Sequence, residues 1–165
     1  MSRPAYHLVH ANVAIARASL GDPVMASFIA QVDEISSLAK CSSGFVEQPV
    51  LPDSGEVFKG NVLLNVSLWK SVEDLNNFTH QGRHALALQR RADWFEQSEK
   101  VNYVLFWQPA GEFTSERKVQ LRIEYLRVYG PTPYAFNFKQ TFTIEDILSY
   151  EPLELGGLAG GLPLG

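Results

Sequence analysis

A single cysteine, Cys41, stands in a chain of 165 residues. One thiol cannot build an intramolecular disulfide framework, and it suits a reducing compartment. No apolar run approaches the ~18 residues that a membrane-crossing helix needs. Positive charge is in short supply: the net charge is −4, and the adjacent pair Arg90-Arg91 is too short for a phosphate-binding stripe. Nucleic acid and anionic membrane surfaces are therefore not favoured as partners. Gly-rich phosphate loops, dinucleotide fingerprints and nucleophile elbows are missing as well. The opening Met-Ser-Arg-Pro-Ala-Tyr-His has no apolar run behind its positive charge, so a secretory leader is not expected. These absences leave a soluble cytoplasmic domain as the expectation.

What remains is ordinary in bulk and informative in detail. Hydrophobic content of 45% and charged content of 19% fit one compact domain with a real core. Segment 62–69 alternates strictly: Val62, Leu64, Val66 and Leu68 share one strand face, and Leu63, Asn65, Ser67 and Trp69 share the other. Segment 8–15 repeats the pattern, with Val9, Ala11, Val13 and Ile15 opposed by Leu8, His10, Asn12 and Ala14. The aliphatic rows are expected to pack on helices. The mixed rows are expected to line a small-molecule pocket, because Trp and His are poor choices for a merely solvated face. The alternative is a half-exposed sheet with its polar groups in water.

Asp22-Pro23 reads as a helix start, with apolar spacing to about Lys40. Phe45 to Gln48 is a short strand, and 49–61 a loop rich in Pro and Gly. Ser71-Val-Glu-Asp74 is a capping box opening a helix to Thr79, and a second helical stretch is expected from Arg83 to about Gln97. Segment 101–108 alternates again, Val101, Tyr103, Leu105 and Trp107 forming one row. A helix follows from Thr114 to Gly130, then an extended, aromatic-rich segment over 134–142 and a short helix capped at Thr143. Residues 1–150 form the domain, and 151–165 a flexible, Gly-rich tail.

The order β-α-β-β-α-β plus a C-terminal helix is the ferredoxin-like arrangement, an α+β fold with an antiparallel sheet and helices on one face. The other face must be covered. A second copy of the sheet is the cheapest cover, which predicts a homodimer closing into a barrel.

Five stretches taken in order carry a resemblance. They are Tyr6-His-Leu-Val-His-Ala-Asn-Val-Ala, Leu64-Asn-Val-Ser-Leu-Trp-Lys-Ser-Val-Glu-Asp-Leu with His84 beyond it, Arg90-Arg-Ala-Asp-Trp-Phe, Leu105-Phe-Trp-Gln-Pro-Ala-Gly and Gly130-Pro-Thr-Pro-Tyr-Ala-Phe. Together they resemble the DUF3291 domain family over most of residues 6–138. That family is similar to the dimeric α+β barrel superfamily, which includes cofactor-independent antibiotic-biosynthesis monooxygenases, haem-degrading oxygenases and polyketide cyclases. The resemblance implies the fold, a homodimer and a pocket in the barrel. It implies a biosynthetic enzyme acting without cofactor on an aromatic or polyketide-like substrate, monooxygenase-like in its chemistry. The alternatives are a cyclase or isomerase that only moves protons, or a module that binds haem or an aromatic ligand.

In the cofactor-free quinone-forming monooxygenases, an Asn and a Trp at the spacing of Asn65 and Trp69 line the site. Such a site must stabilise a phenolate or enolate and keep water away. Asn65, Asn12 and the indole N–H of Trp69 are the candidate donors; otherwise Asn65 serves a neighbouring backbone group and Trp69 is core. His10, on the Asn12 face, is the candidate base, since histidine titrates near neutrality. Similarity to the polyketide cyclases suggests His10, or His7, together with His84, the latter with one inserted residue and with His80 as its competitor. Haem-degrading relatives use Asn, Trp and His, for which Asn12, Trp69 and His84 could stand in. Ser67, His7 and Phe78 complete the expected substrate-binding set. No metal is expected, because His7 and His10 point to opposite faces and have no carboxylate or thiol beside them in sequence.

Overall fold

The computed structural model describes residues 5–80, 91–97 and 100–155. Strand β1 (Tyr6–Ile15) leads through a 3-10 turn at Pro23–Met25 into helix α1 (Ala26–Lys40). Asp22 caps that turn by accepting the Val24 N–H at 2.9 Å, so the expected helix begins with a tighter turn than an α-helix. Strands β2 (Phe45–Glu47) and β3 (Val62–Trp69) follow, then α2 (Val72–Thr79). The Ser71 hydroxyl accepts the Asp74 N–H at 3.1 Å, as the capping box requires. Of the helix expected over 83–97, Arg91–Trp94 is helical (α3), Phe95 pairs with Ala16, and residues 81–90 lie outside the described residues. Strand β4 (Tyr103–Pro109), helix α4 (Glu116–Tyr129) and helix α5 (Ile144–Leu148) complete the order. Ser115 caps α4, Gly130 ends it at φ +72°, and Thr143 and Asp146 cap α5 reciprocally.

The sheet order is β2-β3-β1-β4, and every neighbouring pair is antiparallel. Strands β1 and β2 therefore run parallel with β3 between them, which is the split βαβ topology of a ferredoxin-like α+β fold. Register sets two faces. Leu8, His10 and Asn12 stand opposite Trp69, Ser67 and Asn65 on one side and Trp107, Leu105 and Tyr103 on the other, forming an aromatic face. Val9, Ala11, Val66, Leu68, Val104 and Phe106 form an aliphatic face.

The two expected rows exist, but helices cover both of them and not the aliphatic row alone, so the expectation of helices on one face does not hold. The aromatic face lies under α1 and α2: Leu8 and Trp69 pack with Ala39, Leu75 and Phe78. At the other end of that face, Ala14 and Leu63 pack with Met25, Phe28, Trp94 and Phe95. The aliphatic face lies under α4, through Val119, Ile123 and Leu126, and under Val57 and Phe58 of the 49–61 loop. Period-two alternation tells which residues share a face, not which face a crossover helix will take. An aromatic–aliphatic row offers a helix as much apolar area as an aliphatic one.

Helix α4 has a second consequence. It occupies the face that a second sheet would have covered, and each fully buried aliphatic side chain there contributes roughly 1.5–3 kcal/mol. Burial of that face does not call for a second copy of the chain. Beyond α5, Leu155 packs on the same core, and Leu153 N–H donates to the Tyr125 hydroxyl at 2.9 Å. Among the described residues, no helix is long and apolar enough to cross a membrane.

Candidate functional site

Between its two packed ends the aromatic face changes character. His10 stands opposite Ser67 and Leu105, and Asn12 opposite Asn65 and Tyr103. Burial is graded along β3: Trp69 and Ser67 are buried, and Asn65 is exposed. His10, Asn12 and Tyr103 are half-buried. The face therefore passes from a dry aromatic wall to a wetter polar stretch before its second packed end. Above it, the inward stripe of α1 passes from Phe28 to Ile35 by way of the half-buried Gln31.

An aromatic cluster holds His10. Its ring centroid is 6.2 Å from those of Tyr103 and Phe138, and the latter two stack at 5.8 Å. Phe138 arrives from outside the named strands. Phe136, two residues earlier, pairs with Leu105 at the free edge of β4 through two backbone hydrogen bonds of 2.9 Å. That pairing fixes the parity of the segment, so Phe138 falls over Tyr103. The Phe138 N–H then donates to the Tyr103 hydroxyl oxygen at 3.2 Å. With an N–H already on its oxygen, the phenol keeps its own O–H as a donor.

Trp69 takes a different place from the one expected. Its ring is fully buried between Phe45 and Phe78, at centroid distances of 5.4 and 5.2 Å. Its indole N–H donates to Ser67 Oγ at 2.8 Å. The donor expected to meet a ligand is thus satisfied inside the protein, and Trp69 and Phe78 form the wall behind the polar stretch. Ser67, buried and opposite His10, links that wall to the site.

The remaining histidines divide. His7 lies on the aliphatic side, opposite Gln108, because strand parity already holds at Tyr6; the structure does not bring it to His10. His80 caps α2, with Nδ1 2.8 Å from the Asn76 carbonyl oxygen and 3.1 Å from Thr79 Oγ1. His84 lies outside the described residues. Among the described residues, no three His, Cys, Asp or Glu side chains are grouped to hold a metal ion. The structure adds Tyr103 and Phe138 to the expected set. Tyr103 belonged to an apolar row by sequence, and only the β1–β4 register places it opposite Asn12.

Solved structures of similar fold include two proteins of low sequence identity. One is a protein from Nitrosomonas europaea whose description assigns it provisionally to the antibiotic biosynthesis monooxygenases, at 8% identity and a TM-score of 0.48, covering 69% of this chain and 99% of that one. The other is SnoaB, a cofactor-independent oxygenase from Streptomyces nogalater, at 13% identity and a TM-score of 0.45, covering 68% of this chain and 100% of that one. No curated protein matches the sequence. The model of a domain of unknown function, DUF3291, matches residues 7–151, and the chain belongs to that family.

Proposed function

We propose that the polar stretch of the aromatic face binds an aromatic or polyketide-like small molecule and acts on it without a cofactor, in the manner of a monooxygenase. The observation that supports this reading is the setting of His10: beside the rings of Tyr103 and Phe138, with Asn12 and Asn65 on the same face. His10 is the general base that removes a proton from a phenol or enol. The amides of Asn12 and Asn65 stabilise the resulting oxyanion, and the rings of Tyr103 and Phe138 shield it on the side of His10. The carbanion form of the substrate then reduces dioxygen. A C–O bond forms to give a hydroperoxide, whose O–O bond breaks with loss of water and leaves a carbonyl. Trp69 and Phe78 position Ser67 and close the site from behind, and His84 is the candidate for returning the proton. A homodimer in the cytoplasm belongs to the same reading, with an interface elsewhere than the face under α4.

Oxygen uptake tests the proposal. A panel of phenolic and enolic compounds, supplied without flavin or added metal, should include one that consumes one dioxygen per molecule transformed. Turnover that proceeds equally well without oxygen would replace this reading with cyclase- or isomerase-type proton transfer. The placement of Tyr103 supports that second reading, since its free O–H can return a proton that His10 removes. Tight binding of the ligand with no turnover would leave a module that holds an aromatic ligand or haem.

A further inference from the structure

Helix α4 carries two partly buried arginines with unlike partners. Arg127 has a counter-charge: Nη1 pairs with Glu124 at 2.7 Å, and Nη2 donates to the Val101 carbonyl at 2.8 Å. Arg122 has none. Its Nη1 donates to the Tyr134 carbonyl at 2.6 Å, and its guanidinium lies 3.6 Å from the Tyr134 ring centroid and 4.7 Å from that of Phe106. Its Nε, like that of Arg127, is buried without an acceptor, but its Nη2, unlike that of Arg127, makes no hydrogen bond among the described residues. The acid that acts on it from a distance, Glu112, is committed to Lys118 at 3.0 Å.

A buried charge without a counter-charge is costly. Burial lowers the Arg122 pKa, yet a guanidinium stays protonated at any physiological pH. The two ring faces offset part of the cost. They supply no acceptor in the guanidinium plane, where the Nε and Nη2 protons point. Those protons lie along one edge, spaced for the two oxygens of a carboxylate. The Tyr134 ring, with its centroid 3.6 Å from the guanidinium carbon, also offers apolar surface to a flat group beside it.

We propose that Arg122 anchors a binding site for a small carboxylate, an aromatic one by preference, with the half-buried Tyr134 as its wall and the fully buried Phe106 beneath the guanidinium. The site is separate from the His10 stretch, because Phe106 stands on the aliphatic face. The Arg122 side chain keeps some exposure, which gives an anion its approach to Nη2. Nε has no exposed surface, so seating the second oxygen needs a small shift of the guanidinium or of the atoms over it.

Benzoate is the probe, with acetate, inorganic phosphate and chloride at matched ionic strength beside it. The reporter is the Arg122 Nε–H resonance of the full chain, assigned by its disappearance in Arg122→Lys. Benzoate should shift that resonance saturably and raise the melting temperature. Acetate should do so more weakly and chloride not at all. Arg122→Lys keeps the charge but loses the fork, and should weaken benzoate by about tenfold or more. Arg122→Gln should abolish the effect; if that variant fails to fold, the wild-type resonance and Arg122→Lys decide. An unmoved resonance, or the same small drift with every anion, would mean that Arg122 is only a cation–π clamp. Saturable binding of phosphate but not benzoate would overturn the carboxylate assignment.

Discussion

The indole N–H of Trp69 donates to the hydroxyl of Ser67, two residues back on the same strand face. Ser67→Ala leaves a buried donor without a partner, and should cost about 1–3 kcal/mol in a denaturant melt. Adding Trp69→Phe should recover part of that loss, since no donor then remains to be satisfied. Two independent, additive effects would show that the bond does not couple them.

Glu116 ties the 49–61 loop to α4. Its Oε1 accepts the N–H groups of Val57 and Phe58 at 3.1 and 3.2 Å, while Asp53 from the loop accepts the N–H groups of Glu116 and Arg117 at 2.7 and 3.0 Å. Glu116→Gln keeps an acceptor and should be tolerated to within about 1 kcal/mol. Glu116→Ala strands two donors and should speed hydrogen exchange at Val57 and Phe58 far more than elsewhere. Uniform protection across the loop in Glu116→Ala would show that something else holds it.

Gly44 has φ +79°, and a Cβ there would overlap the Asp74 carboxylate that accepts from Ser71 Oγ. Gly44→Ala should lower stability by more than the ~1–2 kcal/mol of a left-handed backbone alone, because Asp74 must also move. Asp74→Ala added to it should relieve only the overlap. A neutral Gly44→Ala would contradict the close approach.

Strand β3, the Ser71 cap and the Thr143 capping box were legible because each is a local pattern: alternation, or a hydroxyl three residues before an acid. The sharing of a face by His10, Asn12, Asn65 and Trp69 was legible for the same reason. Which helices cover that face was not, since it depends on the path of the crossovers. Nor could a row of apolar residues single out Tyr103, whose place opposite Asn12 is a matter of register between β1 and β4. Phe138 reaches it through an edge pairing between Phe136 and Leu105, thirty-one residues apart by numbering. Trp69 shows the limit on chemistry: its type and spacing marked it as a ligand donor, while its surroundings make it a wall.

The Tyr125 phenol is pushed up to about 12 from an ordinary value of 10.0, first by burial and then by its hydrogen bond to the Tyr150 hydroxyl. A raised folded-state pKa favours the protonated form. The contribution is fully present below pH 10 and is lost as the pH rises toward 12. An alkaline stability series should therefore fall through that window, and Tyr125→Phe should flatten the fall. Phenolate absorbance should lose its latest-titrating component in the same variant. An unchanged alkaline profile in Tyr125→Phe would place the effect elsewhere.

The central claim is that His10 moves a proton in the polar stretch of the aromatic face. Turnover and affinity, measured together on His10→Ala with a phenolic or enolic compound that the protein transforms, test it most directly. Proton transfer is felt only in the transition state, so turnover should fall by roughly 10²–10⁴-fold while ligand affinity barely changes. Turnover that survives the substitution, or a loss that lies wholly in affinity, would contradict the assignment of His10 as the base.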